Sequence, residues 1–255
     1  MSDYAYVDQH HVPHVEGARD RVRRDPAVLA LLSDTLDGPA QLRFLLEFYA
    51  TAVGMLRPVE HSLVLGAIAC GEWGFDTIAD DFRRMSKDAA SRRLRLLDDF
   101  VQLAWLWREQ GGEAIDLAAL VRRPASPAVV RHMAVREAAA NNSLPLVLLG
   151  VELELAELAI ELGPRLVRAS ERKLGGDVLA RLTYFHAWTE HAALRADDLL
   201  ERLDDLLRSV PELAEPVATA GVDAVTSMLD VFGDCIVRSS TLGRTRPSSF
   251  VTTSP

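Results

Sequence analysis

The stretch Leu144-Pro-Leu-Val-Leu-Leu-Gly-Val-Glu-Leu-Glu-Leu-Ala-Glu-Leu-Ala-Ile-Glu-Leu162 decides the fold. On a helical wheel advancing about 100° per residue, it carries apolar side chains on two faces. A helix of that kind needs neighbours on both sides and belongs at the centre of a bundle. Glu154, Glu157 and Glu161 share one sector with Gly150, which is expected to be a solvated edge. Glu152 falls on the other side, among Leu148, Ala156 and Ala159. Burying a lone carboxylate is costly unless it is paired or bound to a cation. Glu152 is therefore a candidate site residue, the alternative being a partly exposed position between two neighbouring helices.

Helical periodicity extends outward from this segment in both directions, and no convincing period-two strand interrupts it. Upstream, helices are expected over 15–33, 40–56, 59–70 (opened by Pro58), 77–110, 115–122 and 128–140. Downstream, Gly163-Pro164 is expected to end the central helix, followed by helices over 166–173, 178–208 and 216–238. Prolines and paired glycines fall between these segments, as helix boundaries require. The expected organisation is a variable N-terminus (1–14), one helical domain (15–238) and a disordered Ser/Thr/Pro-rich tail (239–255). The fold class is all-α.

Composition narrows the function. The chain has 255 residues, 49% of them hydrophobic, and a net charge of −9. That charge argues against nucleic acid, whose phosphates need a basic face. No apolar run approaches the roughly 18 residues of a membrane span, and Met1 to Pro13 does not resemble a signal peptide. A cytoplasmic protein without membrane or nucleic-acid partners is the expectation. Cys70 and Cys235 lie in apolar surroundings and are expected to be buried free thiols. No Gly-rich phosphate loop, HExxH or Gly-x-Ser-x-Gly occurs.

The segment His186-Ala-Trp-Thr-Glu190-His191 carries the main chemical signal. His186 and Glu190 lie one helical turn apart and point the same way, as two ligands of one metal would. They flank the core stripe through Leu182, Ala192 and Ala196, with the small Ala193 between them. The alternative is a solvated acidic edge continued by Glu201 and Asp204. Glu152 and Glu154 lie 34 and 32 residues before His186. Glu60 and His61 open the helix after Pro58; Glu60 either stabilises the helix dipole or, with His61, lines an internal cavity. Glu47 reads as a polar-side residue, and His10, His11 and His14 as an incidental terminal cluster. The Arg83-to-Arg95 run with its aspartates reads as a solvated, salt-bridged face. Trp105, Trp107 and Trp188 are expected in the core or at an interface.

Taken together, Phe44-Leu-Leu-Glu-Phe-Tyr49, Arg57-Pro-Val-Glu60-His-Ser-Leu63 and Leu144-Pro-Leu-Val-Leu-Leu-Gly150 resemble the haem-oxygenase-like superfamily. That superfamily includes thiaminase II, pyrroloquinoline-quinone synthase and non-haem di-iron oxidases. The resemblance implies a compact helical bundle around a central cavity. It also implies, in the di-iron members, a late-helix His, a carboxylate four residues on and a His three further, with a carboxylate about thirty residues earlier. His186, Glu190 and Glu152 or Glu154 match; Ala193 stands where the second His belongs, and Arg95 where an earlier-helix His, following Asp88, would help. For the haem-degrading branch, His14 is the one candidate axial ligand.

The expectation that follows is an oxidative enzyme acting on a small molecule. Non-haem iron would be held by His186, Glu190 and Glu152 or Glu154, because imidazole and carboxylate suit that metal. Two alternatives stay open. One is a metal-free enzyme with Glu152 or Glu190 as general acid/base and His186 as its partner. The other is a non-catalytic binding or assembly protein that has lost its ligands. Homodimerisation through a helix pair is a further expectation.

Overall fold

The computed structural model describes residues 4–180 and 182–242, save the side chains at positions 185 and 189–191. The expected tail lies outside the described residues from position 243 onward. Among the described residues every regular element is helical: α1 (Val12–Arg24), α2 (Pro26–Leu32), α3 (Gly38–Glu72), α4 (Asp76–Glu109), α5 (Leu117–Arg122), α6 (Pro127–Ala140), α7 (Val147–Leu174), α8 (Gly176–Leu179), α9 (Thr183–Ser209) and α10 (Ala214–Ser239). A π-helical turn, Val7–His11, precedes α1, and both of its end residues are buried. The N-terminal histidines are therefore not all incidental, since His11 is inside the bundle.

Two expected breaks are absent. α3 runs straight through Pro58, whose missing N–H would have bonded the carbonyl of Gly54. Gly54 and Pro58 are both exposed, and nothing packs against Gly54, so water takes the freed carbonyl. α7 likewise passes Pro164, which is also exposed, and stops instead at Gly175, whose φ of 90° suits glycine. A third boundary appears where none was expected. The buried Asp99 of α4 accepts hydrogen bonds from the backbone N–H of Thr183 (2.9 Å) and Tyr184 (2.8 Å). It thereby caps α9 from a different helix and fixes its start at Thr183.

α7 is central, as its two apolar faces require. It lies against α10 on one side and α9 on the other, while α3 pairs with α4 and also meets α6, α7 and α10. The α7–α10 crossing is a backbone contact: a Cβ at Gly150 would come within 2.0 Å of the Val217 carbonyl oxygen, and one at Gly221 within 2.5 Å of Glu154. The Gly150–Glu154 sector is thus a packed seam rather than the solvated edge expected from its charges. α3 alone, among the described residues, is long and apolar enough by length and composition to cross a membrane. It exceeds the sequence expectation because the Pro58 break is absent, and its buried side includes Phe44, Tyr49 and Leu63. Cys70 and Cys235 are buried free thiols, and burial raises their pKa to about 11 and about 12.

Candidate functional site

Between α3, α6, α7 and α9 lies a partly open cavity of about 120 Å³. Phe48, Met55, Leu155, Leu158 and Met228 give it apolar walls, and Tyr184 and Trp188 of α9 add aromatic surface. Its polar side is formed by His132 and Arg136 of α6, Glu152 of α7, Arg92 of α4 and Arg195 of α9. Arg92 and Arg195 also line a groove of about 280 Å³ between α4 and α9, so the two spaces meet at these arginines. The exposed residues Asp88, Arg95, Leu194 and Asp198 form the groove's rim.

Each polar group in the cavity has a definite state. Arg136 is 3% exposed and Glu152 5%, and an Arg136 Nη donates to the Glu152 carboxylate. The Arg136 Nε–H, also buried, has no partner. His132 Nδ1 is 2.9 Å from the Ser227 hydroxyl oxygen, and that hydroxyl donates to the Ala224 carbonyl. The imidazole must then donate from Nδ1, leaving Nε2 with the lone pair. Burial, with Arg136 adjacent, lowers the His132 pKa to about 3, so the ring is neutral. Burial, with Arg92 close by, lowers Arg195 to about 10; it stays protonated at neutral pH but at a cost.

Charge is unbalanced here. Glu152 is the one carboxylate among the described residues that line the cavity, against Arg92, Arg136 and Arg195. In the groove, Asp81 and Asp198 are taken up by Arg84 at 3.0 and 2.7 Å, and Asp81 also by Arg202 at 3.0 Å. Arg92, Arg95 and Arg195 form no ion pair among the described residues, and Asp88 is their one unpaired acidic neighbour. The Arg83-to-Arg95 face is thus only partly salt-bridged.

The site residues expected from sequence are dispersed. Glu152 enters the cavity, whereas Glu154 points the opposite way, toward α1. There its Oε1 lies 2.9 Å from His11 Nε2 and 2.8 Å from an Arg19 Nη, while its Oε2 accepts from Arg19 Nε at 2.9 Å. Burial alone would raise the Glu154 pKa, but these hydrogen bonds and charges outweigh it and hold the carboxyl below its ordinary value. His186 is half-buried, with Nε2 3.0 Å from the Leu179 carbonyl oxygen, and thereby ties α8 to the first turn of α9. The Glu190 side chain lies outside the described residues.

His61 is exposed and Glu60 half-buried, and neither lines the cavity. On the uninterrupted α3 it is Val59 that faces inward, which turns its two successors away. Glu47 is fully buried and paired with Arg123, contrary to its expected polar-side position. His14 and Ala193 are exposed.

No three His, Cys, Asp or Glu side chains converge to hold a metal among the described residues. The charge of Glu152 is already met by Arg136. Of the expected iron ligands, Glu152 and Glu154 are thus already paired with arginine, His186 meets a backbone carbonyl, and the Glu190 side chain lies outside the described residues. Sequence reasoning missed Arg92, Arg136, Arg195 and His132. Its available signal was the placement of Arg136 and Arg195 in otherwise small, apolar surroundings, Met133-Ala-Val-Arg136 and Ala192-Ala-Leu-Arg195-Ala.

No protein-family model matches the sequence, and neither does any curated protein. Among solved structures, the chain is similar to a domain of unknown function from Shewanella denitrificans OS217, described as having a heme oxygenase-like fold. The TM-score is 0.68 at 14% identity, over 96% of this chain and 99% of that one. At that identity the likeness concerns the fold alone. The chain has the haem-oxygenase-like fold.

Proposed function

We propose that the central cavity binds a small amphipathic organic anion, seating its apolar body against Phe48, Met55, Leu155 and Met228 and its charged head at Arg92 and Arg195. The observation that carries this reading is Arg195. It is a protonated guanidinium with its pKa lowered by burial, it forms no ion pair among the described residues, and it stands where groove meets cavity. Glu152 and Asp88 offset the desolvation of this cation only in part, and an anionic ligand in contact with it removes the remaining penalty on binding. The planar fork of arginine favours a carboxylate or phosphate over a halide. Glu152 is the group in the cavity able to accept a proton, so acid–base chemistry on the bound anion is the enzymatic form of this function. Iron has less support, because Glu152 is engaged by Arg136, and Glu154, the alternative carboxylate, by His11 and Arg19.

The test compares octanoate with octylamine, two probes of equal chain length and opposite charge, by calorimetry in the presence of EDTA. Octanoate is expected to bind and octylamine not to. Arg195→Met is expected to weaken octanoate binding by about tenfold or more, as loss of one charge-assisted pair implies. Equal affinity for both probes, or an Arg195→Met variant that binds octanoate as wild type does, would overturn the proposal.

A further inference from the structure

We infer that the chain pairs with a second copy of itself through the outer face of α4, the two helices running antiparallel about a two-fold axis. Along that face Leu94, Asp98, Val101, Trp105 and Arg108 follow one another at alternating steps of four and three residues. This is the spacing of a coiled-coil seam. A monomer has little reason to leave the centre of such a seam uncovered: Val101 is 54% exposed and Trp105 53%. Asp98 and Arg108 are exposed as well. Neither has an ion-pair partner among the described residues.

The charges identify the occupant. Asp98 and Arg108 stand ten residues apart, about 15 Å along the helix, too far to pair within one chain. Laid antiparallel against itself with residue 103 as the midpoint, the seam puts Asp98 opposite Arg108 of the second copy. The same register puts Val101 opposite the second copy's Trp105. Two-fold symmetry repeats both matches, so an apolar centre of two valines and two tryptophans is closed at each end by an ion pair. Antiparallel seams match the first core position of one helix with the second of the other, and both pairs obey that rule. The surface is self-complementary in spacing and charge, as an isologous interface must be. A different protein would have to reproduce this pattern; a second copy does so by construction.

Sedimentation equilibrium of the full chain tests the inference, with circular dichroism to monitor folding. Wild type is expected at twice the 28.1 kDa chain mass at micromolar concentration. Asp98→Arg alone, or Arg108→Asp alone, places like charges opposite each other. Each is expected to weaken the dimer by about tenfold or more. The double variant Asp98→Arg/Arg108→Asp restores opposite charges and is expected to recover the dimer, a result that misfolding cannot produce. A wild-type monomer up to about 100 µM would overturn the inference, since it puts the dissociation constant about a hundredfold or more above the micromolar range expected. A dimer indifferent to either single reversal would overturn it too, as would a double variant that stays monomeric.

Discussion

Glu152 and Glu154 stand two residues apart on α7, are 5% and 1% exposed, and both meet arginine. They nevertheless do different work. Two residues along a helix is a turn of about 200°, so the pair faces opposite layers of the bundle. Glu154 is saturated: both oxygens are engaged by His11 and Arg19, and the backbone of α10 closes over it at Gly221. It fastens the N-terminal segment to the central helix. Glu152 has Arg136 as its charge partner and an open cavity beyond, with Arg92 and Arg195 in excess. A buried carboxylate whose surroundings are complete is part of the framework. One whose surroundings carry surplus charge belongs to a site.

The largest effect that would break this contrast is on stability. Glu154→Ala leaves Arg19 and His11 facing each other without their acceptor, and breaking a buried pair from one side costs about 3–5 kcal/mol. Urea denaturation should show that loss. A loss below about 1 kcal/mol would remove Glu154 from the framework role, since that is the range of surface pairs. Arg195→Met should act in the opposite sense on stability while costing about tenfold in octanoate affinity. Its guanidinium pKa is lowered by burial, so folding disfavours the cation, and an apolar side chain of similar length relieves a penalty of about 1 kcal/mol. A variant less stable than wild type would show that Arg195 is held by the fold rather than held ready for a ligand.

How much of this was legible in the sequence depends on which physical signal each feature leaves. The bundle was legible because periodicity and the two apolar faces of residues 144–162 are local properties. Helix ends were less so: Pro58 does not stop its helix because the carbonyl it frees, at Gly54, is exposed, and Pro164 is passed with its own ring exposed. The start of α9 depends on Asp99, more than eighty residues upstream, which no local pattern reveals. The site was half legible. Glu152 was singled out as a carboxylate that burial would force to pair, and its partner is Arg136. Glu154 was placed on a solvated edge because a helical wheel cannot show that α1 and α10 cover that edge. The arginines escaped notice because a charged residue in a small, apolar helix looks like a surface position until its neighbours are known.

Glu152→Gln sharpens the comparison from the other side. It keeps an acceptor for Arg136 but deletes the one negative charge among the described cavity residues, so octanoate binding should tighten by about two- to fivefold. Isothermal calorimetry on wild type and variant would measure it. A metal ligand would behave differently, since removing it would abolish metal-dependent binding in the absence of chelator. An unchanged or weaker octanoate affinity would mean that Glu152 does not oppose the anion and that the cavity's charge balance is not what selects the ligand.

The smallest effect separates the two glutamates by pH. The Glu154 carboxyl is held below its ordinary value of 4.5, so its ionised form is favoured by folding. The stability it contributes is fully present above about pH 4.5 and is lost as pH falls through its lowered folded value. Asp99 and Glu157, whose pKa values burial raises, act in the opposite direction: their contribution is present at low pH and lost as pH rises. The total acid profile therefore mixes both signs, and the informative quantity is the difference between wild type and Glu154→Gln. That difference should be largest at neutral pH and shrink by about 1 kcal/mol between pH 5 and pH 3, as protonation makes the two side chains alike. A gap that stays constant across that range would mean that the Glu154 carboxyl titrates alike in the folded and unfolded chain, so that Arg19 and His11 do not favour its ionised form.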